Sequence, residues 1–255
     1  IFLTETAKLA DVVLPAACCF EKNGTFTNTE RKVQRVRKVI EPPGTARDDL
    51  SILLGLAYAM GSHLGFQTPE EAFTEFAMLW EAIAGITYER LEQKGLHWPC
   101  LNVNHPGIKV RHAKGFRKGR AVFKPVYHRQ AAEHVDHNYP YLLSTGRNLY
   151  QHHGGSMTRR VPQIQCHAGQ PYLEIHPFDA THLGIKNNDI VRVTSRRGSV
   201  MVNVRISDAV LPGNVFMPMH YQEAAANVLT SSIVDPITKT PEFKICAVKI
   251  EHMRE

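Results

Sequence analysis

From Ile190 to Ser207 the chain reads IVRVTSRRGSVMVNVRIS, two stretches of alternating apolar and polar residues on either side of the turn Arg196-Arg197-Gly198-Ser199. A side-chain period of two fits only an extended strand with one buried face, and the glycine-containing turn joins the two strands as a hairpin. Other short apolar runs flank it: YLLST from Tyr141, YLEIHP from Tyr172, NVFMPMHY from Asn214 and KICAVKIE from Lys244. Between them, Pro177 to Leu183 reads as a short helix that Gly184 ends. Many short strands separated by turn signals predict a barrel or sandwich over residues 139–255.

The N-terminal part follows other rules. ADVVLPAA (Ala10–Ala17) is apolar, β-branched at its centre and stopped by Pro15, which predicts a buried strand of an α/β sheet. After the polar loop EKNGTFTNTER and a PPG turn, Asp48 and Asp49 both offer N-caps to LSILLGLAYAM, a helix apolar almost all round and so expected to be buried. This first segment covers residues 1–63. A connector over 64–138 carries its own helix. Thr68, Pro69 and Glu71 form a capping-box start, and Ala72, Phe73, Phe76, Leu79, Trp80 and Ile83 recur at helical spacing before Gly85. Past TYERLEQKG the connector becomes polar, rich in Pro, Gly and His, and irregular.

At 255 residues, 43% of them hydrophobic, the chain can bury a sizeable core, and no apolar run approaches the ~18 residues that span a bilayer. The five cysteines contain no CxxC, so neither a disulfide framework nor a metal cradle is encoded, and buried reduced thiols are expected. The net charge is +6, with basic clusters at Arg31–Lys38 and Lys109–Arg120. They lack the interleaved aromatics of a single-strand binder and match no groove-reading motif, so nucleic acid is not the expected partner. A solvated face, an anionic cofactor or an acidic partner subunit accounts for them. His152-His153 and the pair His134/His137 lack a third ligand at zinc spacing.

Four stretches follow one another in order: STGRNLYQHHGGSMTRR (Ser144–Arg160), PYLEIHPFDATHLGIKNNDIVRVTSRRGSV, VFMPMHYQEAAANVLT and DPITKTPEFKICAVKI. Together they resemble the C-terminal domain of the dimethyl-sulfoxide-reductase superfamily of molybdopterin-dinucleotide oxidoreductases. TETAKLADVVLPAACCFEKNGTFTNTERKVQRVRKVIEPPGTARDDL resembles the end of the domain that precedes it. The likeness is strongest to the formate dehydrogenase large (alpha) subunit, with periplasmic-type nitrate reductase a near relative. It implies an α/β segment (the end of a Rossmann-like domain) over 1–63, a connector over 64–138, and a mainly β, double-psi-type barrel over 139–255.

The resemblance also implies a bis-molybdopterin guanine dinucleotide carrying molybdenum or tungsten. The cofactor is long and anionic, so it needs small residues, amides and cations at its phosphates and a carboxylate at guanine. Thr145, Gly146, Arg147, Asn148, Leu149, Tyr150, Gln151, His152, His153 and Gly154 match the dinucleotide loop. Lys22 matches a dinucleotide-contacting lysine. Asp49 matches the guanine carboxylate, with Asp48 able to exchange roles with it. Asn227 matches a pterin-facing asparagine and Lys244 a cofactor-contacting lysine. For Arg159 and Arg160 the alternatives are cofactor, substrate channel or surface, and Met219 matches a funnel position often aromatic in relatives.

In such enzymes the metal's cysteine or selenocysteine ligand and the iron–sulfur cysteines lie upstream of the matched region, so no catalytic or metal-ligating residue is assigned in this chain. The chain, which begins at Ile1 in what reads as core, is expected to be the inactive C-terminal portion of a cytoplasmic catalytic subunit. Its expected partners are the N-terminal remainder and electron-transfer subunits, with formate as substrate. Nitrate reduction or another oxo-transfer, and a non-catalytic split-gene subunit, stand as alternatives.

Overall fold

The computed structural model describes residues 1–116 and 118–253, so Arg117 of the second basic cluster lies outside the described residues. The chain divides into two compact units, Ile1–Lys124 and Pro125–Glu255. The expected class holds, a mixed α/β unit followed by a mainly β barrel.

In the first unit the short helix α1 (Glu5–Lys8) precedes β1 (Gly24–Thr27) and β2 (Lys32–Val36). These pair antiparallel, and β3 (Leu96–His97) adds to the far side of β2. The helices are α2 (Asp49–Ala59), α3 (Pro69–Leu79) and α4 (Tyr88–Gln93). The core of this unit is small, with Val33, Ala77, Ile83, Ile86, Leu91, Leu96 and Cys100 at its centre and Phe73 and Trp98 against it. α3 begins as the sequence predicts. Thr68 accepts from the Glu71 amide, the Glu71 carboxylate reaches back to the cap, and Pro69 occupies the first turn. The helical spacing that runs on to Ile83 breaks at Trp80 and resumes as a 3-10 turn over Glu81–Ile83.

Two expectations fail here. ADVVLPAA forms no strand, and Val12, Val13 and Leu14 are exposed. A sheet strand needs ladder partners along its length. This run makes one parallel bridge, Ala16 to Arg47, in which the Ala17 amide donates to the Arg47 carbonyl (2.8 Å). Helix α2 contains no buried residue although it is apolar nearly all round: Leu53, Leu56 and Tyr58 are exposed, the Tyr58 ring meeting that of His63 edge on.

In the first basic cluster Arg35 is anchored, whereas Arg37 and Lys38 stay exposed. Arg35 and Arg37 share Glu92 (2.7 and 2.6 Å), and Arg35 also lies 4.0 Å from the centre of the Tyr88 ring. Cys100 and Cys246 are buried, whereas Cys18, Cys19 and Cys166 are not, which corrects the expectation of uniformly buried thiols.

The second unit holds β4 (Tyr141–Gly146), α5 (Pro162–Ala168), β5 (Tyr172–Ile175), α6 (Pro177–Leu183), β6 (Ile190–Thr194), β7 (Ser199–Ile206), β8 (Asn214–Pro218) and β9 (Ile245–His252). The six strands close in the order β4-β8-β5-β7-β6-β9, with β4/β8 and β5/β7 parallel and the other pairs antiparallel. Closure leaves no free edge. The predicted hairpin is β6–β7, with Val191 opposite Val202 and Val193 opposite Val200. Alternate residues point inward: Tyr141, Leu143, Leu173, Ile175, Val191, Val193, Val202, Val204, Val215 and Met217 fill the interior. Helix α6 spans the predicted residues, and among the described residues no helix is long and apolar enough to cross a membrane.

Candidate cofactor-binding site

In the first unit, Asp48 takes the extended conformation of an N-cap (φ −65°, ψ 155°). Its carboxylate accepts from the Ser51 amide (2.9 Å) and hydroxyl (2.6 Å). Burial acts to raise its pKa, but these hydrogen bonds outweigh it and hold the carboxyl below the usual 3.8. Asp49, one step into the helix, instead forms an ion pair with Lys22. The two adjacent aspartates, interchangeable by sequence, therefore have separate tasks. Lys22 and Asp49 stand on the rim of a pocket whose walls include Phe26, Phe73, Phe76 and Tyr88.

In the second unit, the candidate loop leaves the C-terminal end of β4. Thr145 is buried, its amide donates to the Lys244 carbonyl (3.0 Å) and its hydroxyl to the Phe243 carbonyl (2.8 Å). It thus joins the loop root to the segment that carries Lys244. Gly146 accepts from the Met219 amide (2.9 Å), and a Cβ there would stand 2.7 Å from the Phe216 ring, so only glycine allows this approach.

Asn148 organises the next turn by accepting from the Tyr150 and Gln151 amides (both 3.0 Å), while its own amide donates to the Tyr221 hydroxyl (3.4 Å). Gln151, buried, accepts from the Thr158 hydroxyl (2.6 Å) and donates to Gln165 (3.2 Å). Asn148 and Gln151 therefore shape the loop from within. Arg147, Leu149, Tyr150, His152, His153 and Gly154 face outward. Among the described residues the Arg147 guanidinium, the Asn227 side-chain amide and the Lys244 ammonium are exposed, and no hydrogen bond or ion pair engages them. Asn227 lies in a 3-10 turn, Ala226–Val228. His152 and His153 stack edge to face, with centroids 4.4 Å apart.

Beyond the matched loop, Arg159 and Arg160 are candidates from the sequence, whereas His220, Tyr221 and Glu223 are not. Tyr221 is buried and donates to the Ala168 carbonyl (2.9 Å). Arg159 pairs with Glu223 (2.5 Å) and lies 5.3 Å from the Tyr221 ring centre, and the Arg160 Nε donates to the Ser156 carbonyl (3.1 Å). His220 is buried beside them, and among the described residues neither ring nitrogen is hydrogen-bonded; burial and then the Arg159 charge lower its pKa from 6.5. All five of these residues fall within the words SMTRR and MHYQE, and nothing periodic marks them.

Residues 1–59 match the family model described as molybdopterin oxidoreductase, and residues 141–247 the molydopterin dinucleotide binding domain. The chain is 48% identical over 257 residues to the F420-dependent formate dehydrogenase subunit alpha of Methanocaldococcus jannaschii, covering 99% of this chain and 38% of that protein. It is 39% identical over 280 residues to a nitrate reductase of Symbiobacterium thermophilum, covering 98% of this chain and 37% of that one. The chain thus spans well under half the length of these relatives. Among solved structures, acetylene hydratase from Pelobacter acetylenicus superposes with a TM-score of 0.71 at 19% identity over 99% of this chain and 39% of its own, which shows a shared fold.

Proposed function

Because this chain belongs to the molybdopterin oxidoreductases and carries a molydopterin dinucleotide-binding domain, we propose that it is the cofactor-binding portion of a formate dehydrogenase catalytic subunit. The reaction is the oxidation of formate to CO2, a proton and two electrons on a bis-molybdopterin guanine dinucleotide centre of molybdenum or tungsten. The observation that carries this reading is a loop (residues 145–154) without a single acidic residue, with the unengaged donor of Arg147 in it, that of Lys244 in the segment tied to its root, and that of Asn227 exposed on its own 3-10 turn. Such a set suits a polyanionic, hydrogen-bond-rich ligand, and the residues present fit the cofactor.

When bound, the metal centre supplies the two-electron chemistry, and this chain binds and orients it. In the second unit, Arg147 neutralises phosphate charge, His152 and His153 donate to cofactor oxygens, Asn227 donates to the pterin, and Lys244 contacts the cofactor. Thr145, Asn148 and Gln151 hold the loop in shape. Gly146, Leu149, Tyr150 and Gly154 complete the contact surface. In the first unit, Asp49 takes the guanine N–H donors and Lys22 contacts the dinucleotide, while the aromatic wall of their pocket suits a planar base. Formate dehydrogenase relatives named as alpha subunits support further subunits. That these carry electrons away in the cytoplasm, through iron–sulfur clusters outside this chain, is part of the same proposal. Nitrate reduction on the same cofactor is the second reading, favoured by the nitrate reductase likeness.

The test uses the complete enzyme that contains this chain. Mass spectrometry of released cofactor should find the guanine dinucleotide, and formate should reduce a viologen dye or F420. Nitrate-dependent oxidation of reduced viologen without formate activity would establish the second reading, and absence of the dinucleotide would end both.

A further inference from the structure

The 3-10 turn that carries Asn227 is held from the outside by the tip of the β6–β7 hairpin. Arg197, in the hairpin turn, donates from Nε and Nη2 to the carbonyl of Leu229 (2.9 and 2.7 Å), the residue that ends the 3-10 turn. Its neighbour Gly198 lies so close that a Cβ would stand 2.6 Å from Val228 Cγ1. The third guanidinium nitrogen of Arg197 meets Glu133 Oε2 at 2.7 Å. Glu133 is the hub of this arrangement. Its side chain is only 9% exposed, it also pairs with Arg196, and its Oε1 accepts from the Ala247 amide in β9 (3.3 Å). Three residues before Ala247 stands Lys244, whose carbonyl takes the Thr145 amide.

One buried carboxylate and one guanidinium therefore tie together the hairpin turn, the Asn227 turn and the strand that follows Lys244. A guanidinium that donates twice to one carbonyl while ion-paired to a carboxylate is held in a single orientation, which lysine cannot reproduce. Burial acts to raise the Glu133 pKa, but Arg197 and Arg196 outweigh it and keep the carboxyl below the usual 4.5, so the pair stays charged. Leu229 is fully buried, so loss of the clamp leaves its carbonyl without these donors.

We propose that Arg197, locked by Glu133, is a positioning residue that aims Asn227 at the cofactor. The inference rests on the reading of Asn227 as a cofactor contact. Residues that orient a ligand without touching the bound group typically change affinity ~10–100-fold. The test is a double-mutant cycle in the complete enzyme. It compares Asn227→Ala, Arg197→Lys and their combination by cofactor retained per polypeptide after dialysis, by the visible spectrum of the bound metal centre, and by thermal midpoint.

Both single variants should lower retention about tenfold and alter the spectrum alike, Asn227→Ala at a near-unchanged midpoint and Arg197→Lys at one lowered by the donors lost to Leu229. The double variant should be no worse than Asn227→Ala alone, the non-additivity of residues acting through one another. Glu133→Gln, which keeps shape and weakens the lock, should lie between wild type and Arg197→Lys, and it replaces that variant in the cycle if Arg197→Lys does not fold. Loss in Asn227→Ala with full retention in the clamp variants, or strictly additive losses, would overturn the positioning role. Full retention in Asn227→Ala would instead remove the cofactor contact, and the inference with it.

Discussion

Lys22 and Asp49, 27 residues apart, form one ion pair, and Asp48 beside them caps helix α2 and takes no part in it. Two groups assigned to one ligand thus hold each other in place, the lysine largely covered and the carboxylate largely open. If Asp49 reads guanine, Asp49→Asn in the complete enzyme should weaken dinucleotide retention about tenfold, the worth of a hydrogen bond to a charged group. Lys22→Met should act in the same direction, because it frees the carboxylate from its pre-set orientation. Nucleotide released on dilution, quantified by mass spectrometry, checks both.

The division of labour between the aspartates predicts a second contrast. Asp48→Ala removes the cap and should cost about 1 kcal/mol of stability. Asp49→Ala leaves the cap intact and should move the thermal midpoint much less. Thermal unfolding of the two variants side by side decides it.

Thr145→Val keeps the shape of a buried side chain but deletes the hydroxyl that donates to Phe243. The carbonyl loses its buried donor, and about 1–2 kcal/mol of stability should go with it. Hydrogen exchange should show faster opening of the Thr145 amide, which donates to Lys244.

His220 predicts a pH effect. Its pKa is lowered by burial and then by Arg159, so the unfolded chain binds the proton more readily than the folded one. Its contribution to stability is complete above the unfolded value near 6.5 and is lost progressively as pH falls below that value toward the lower folded pKa. Asp48, Glu133 and Glu223, all with lowered pKa values, lose their contributions only at the more acidic carboxylate range. Denaturant midpoints between pH 5 and 7 should therefore fall on acidification in the wild type and stay flatter in His220→Phe.

Cysteine accessibility gives a chemical check. Cys19 and Cys166 are exposed, whereas Cys246 is buried with its thiol pushed up to about 11 by burial. Brief alkylation of the native protein at pH 8 should label Cys19 and Cys166 and spare Cys100 and Cys246. Peptide mapping reads the outcome, and early labelling of Cys246 would contradict its burial.

Much of this protein was legible locally. The period-two runs predicted β6 and β7 and the short apolar runs the other barrel strands, Gly184 ended α6 where expected, and Thr68 with Pro69 and Glu71 began α3 as their chemistry requires. Such features depend on residues a few positions apart, so the linear order contains them. The ordered words around Ser144–Arg160 and Val215–Thr230 likewise carried the family. Four things needed the tertiary structure: which aspartate caps and which pairs with Lys22, that Val12–Leu14 finds no ladder, that α2 stays uncovered, and that Arg197 grips Leu229. Each is a relation between groups distant in sequence. Hydropathy can say that a side chain tends to be buried and charge that it needs a partner. Which partner arrives, and whether one does, is set only when the chain closes on itself.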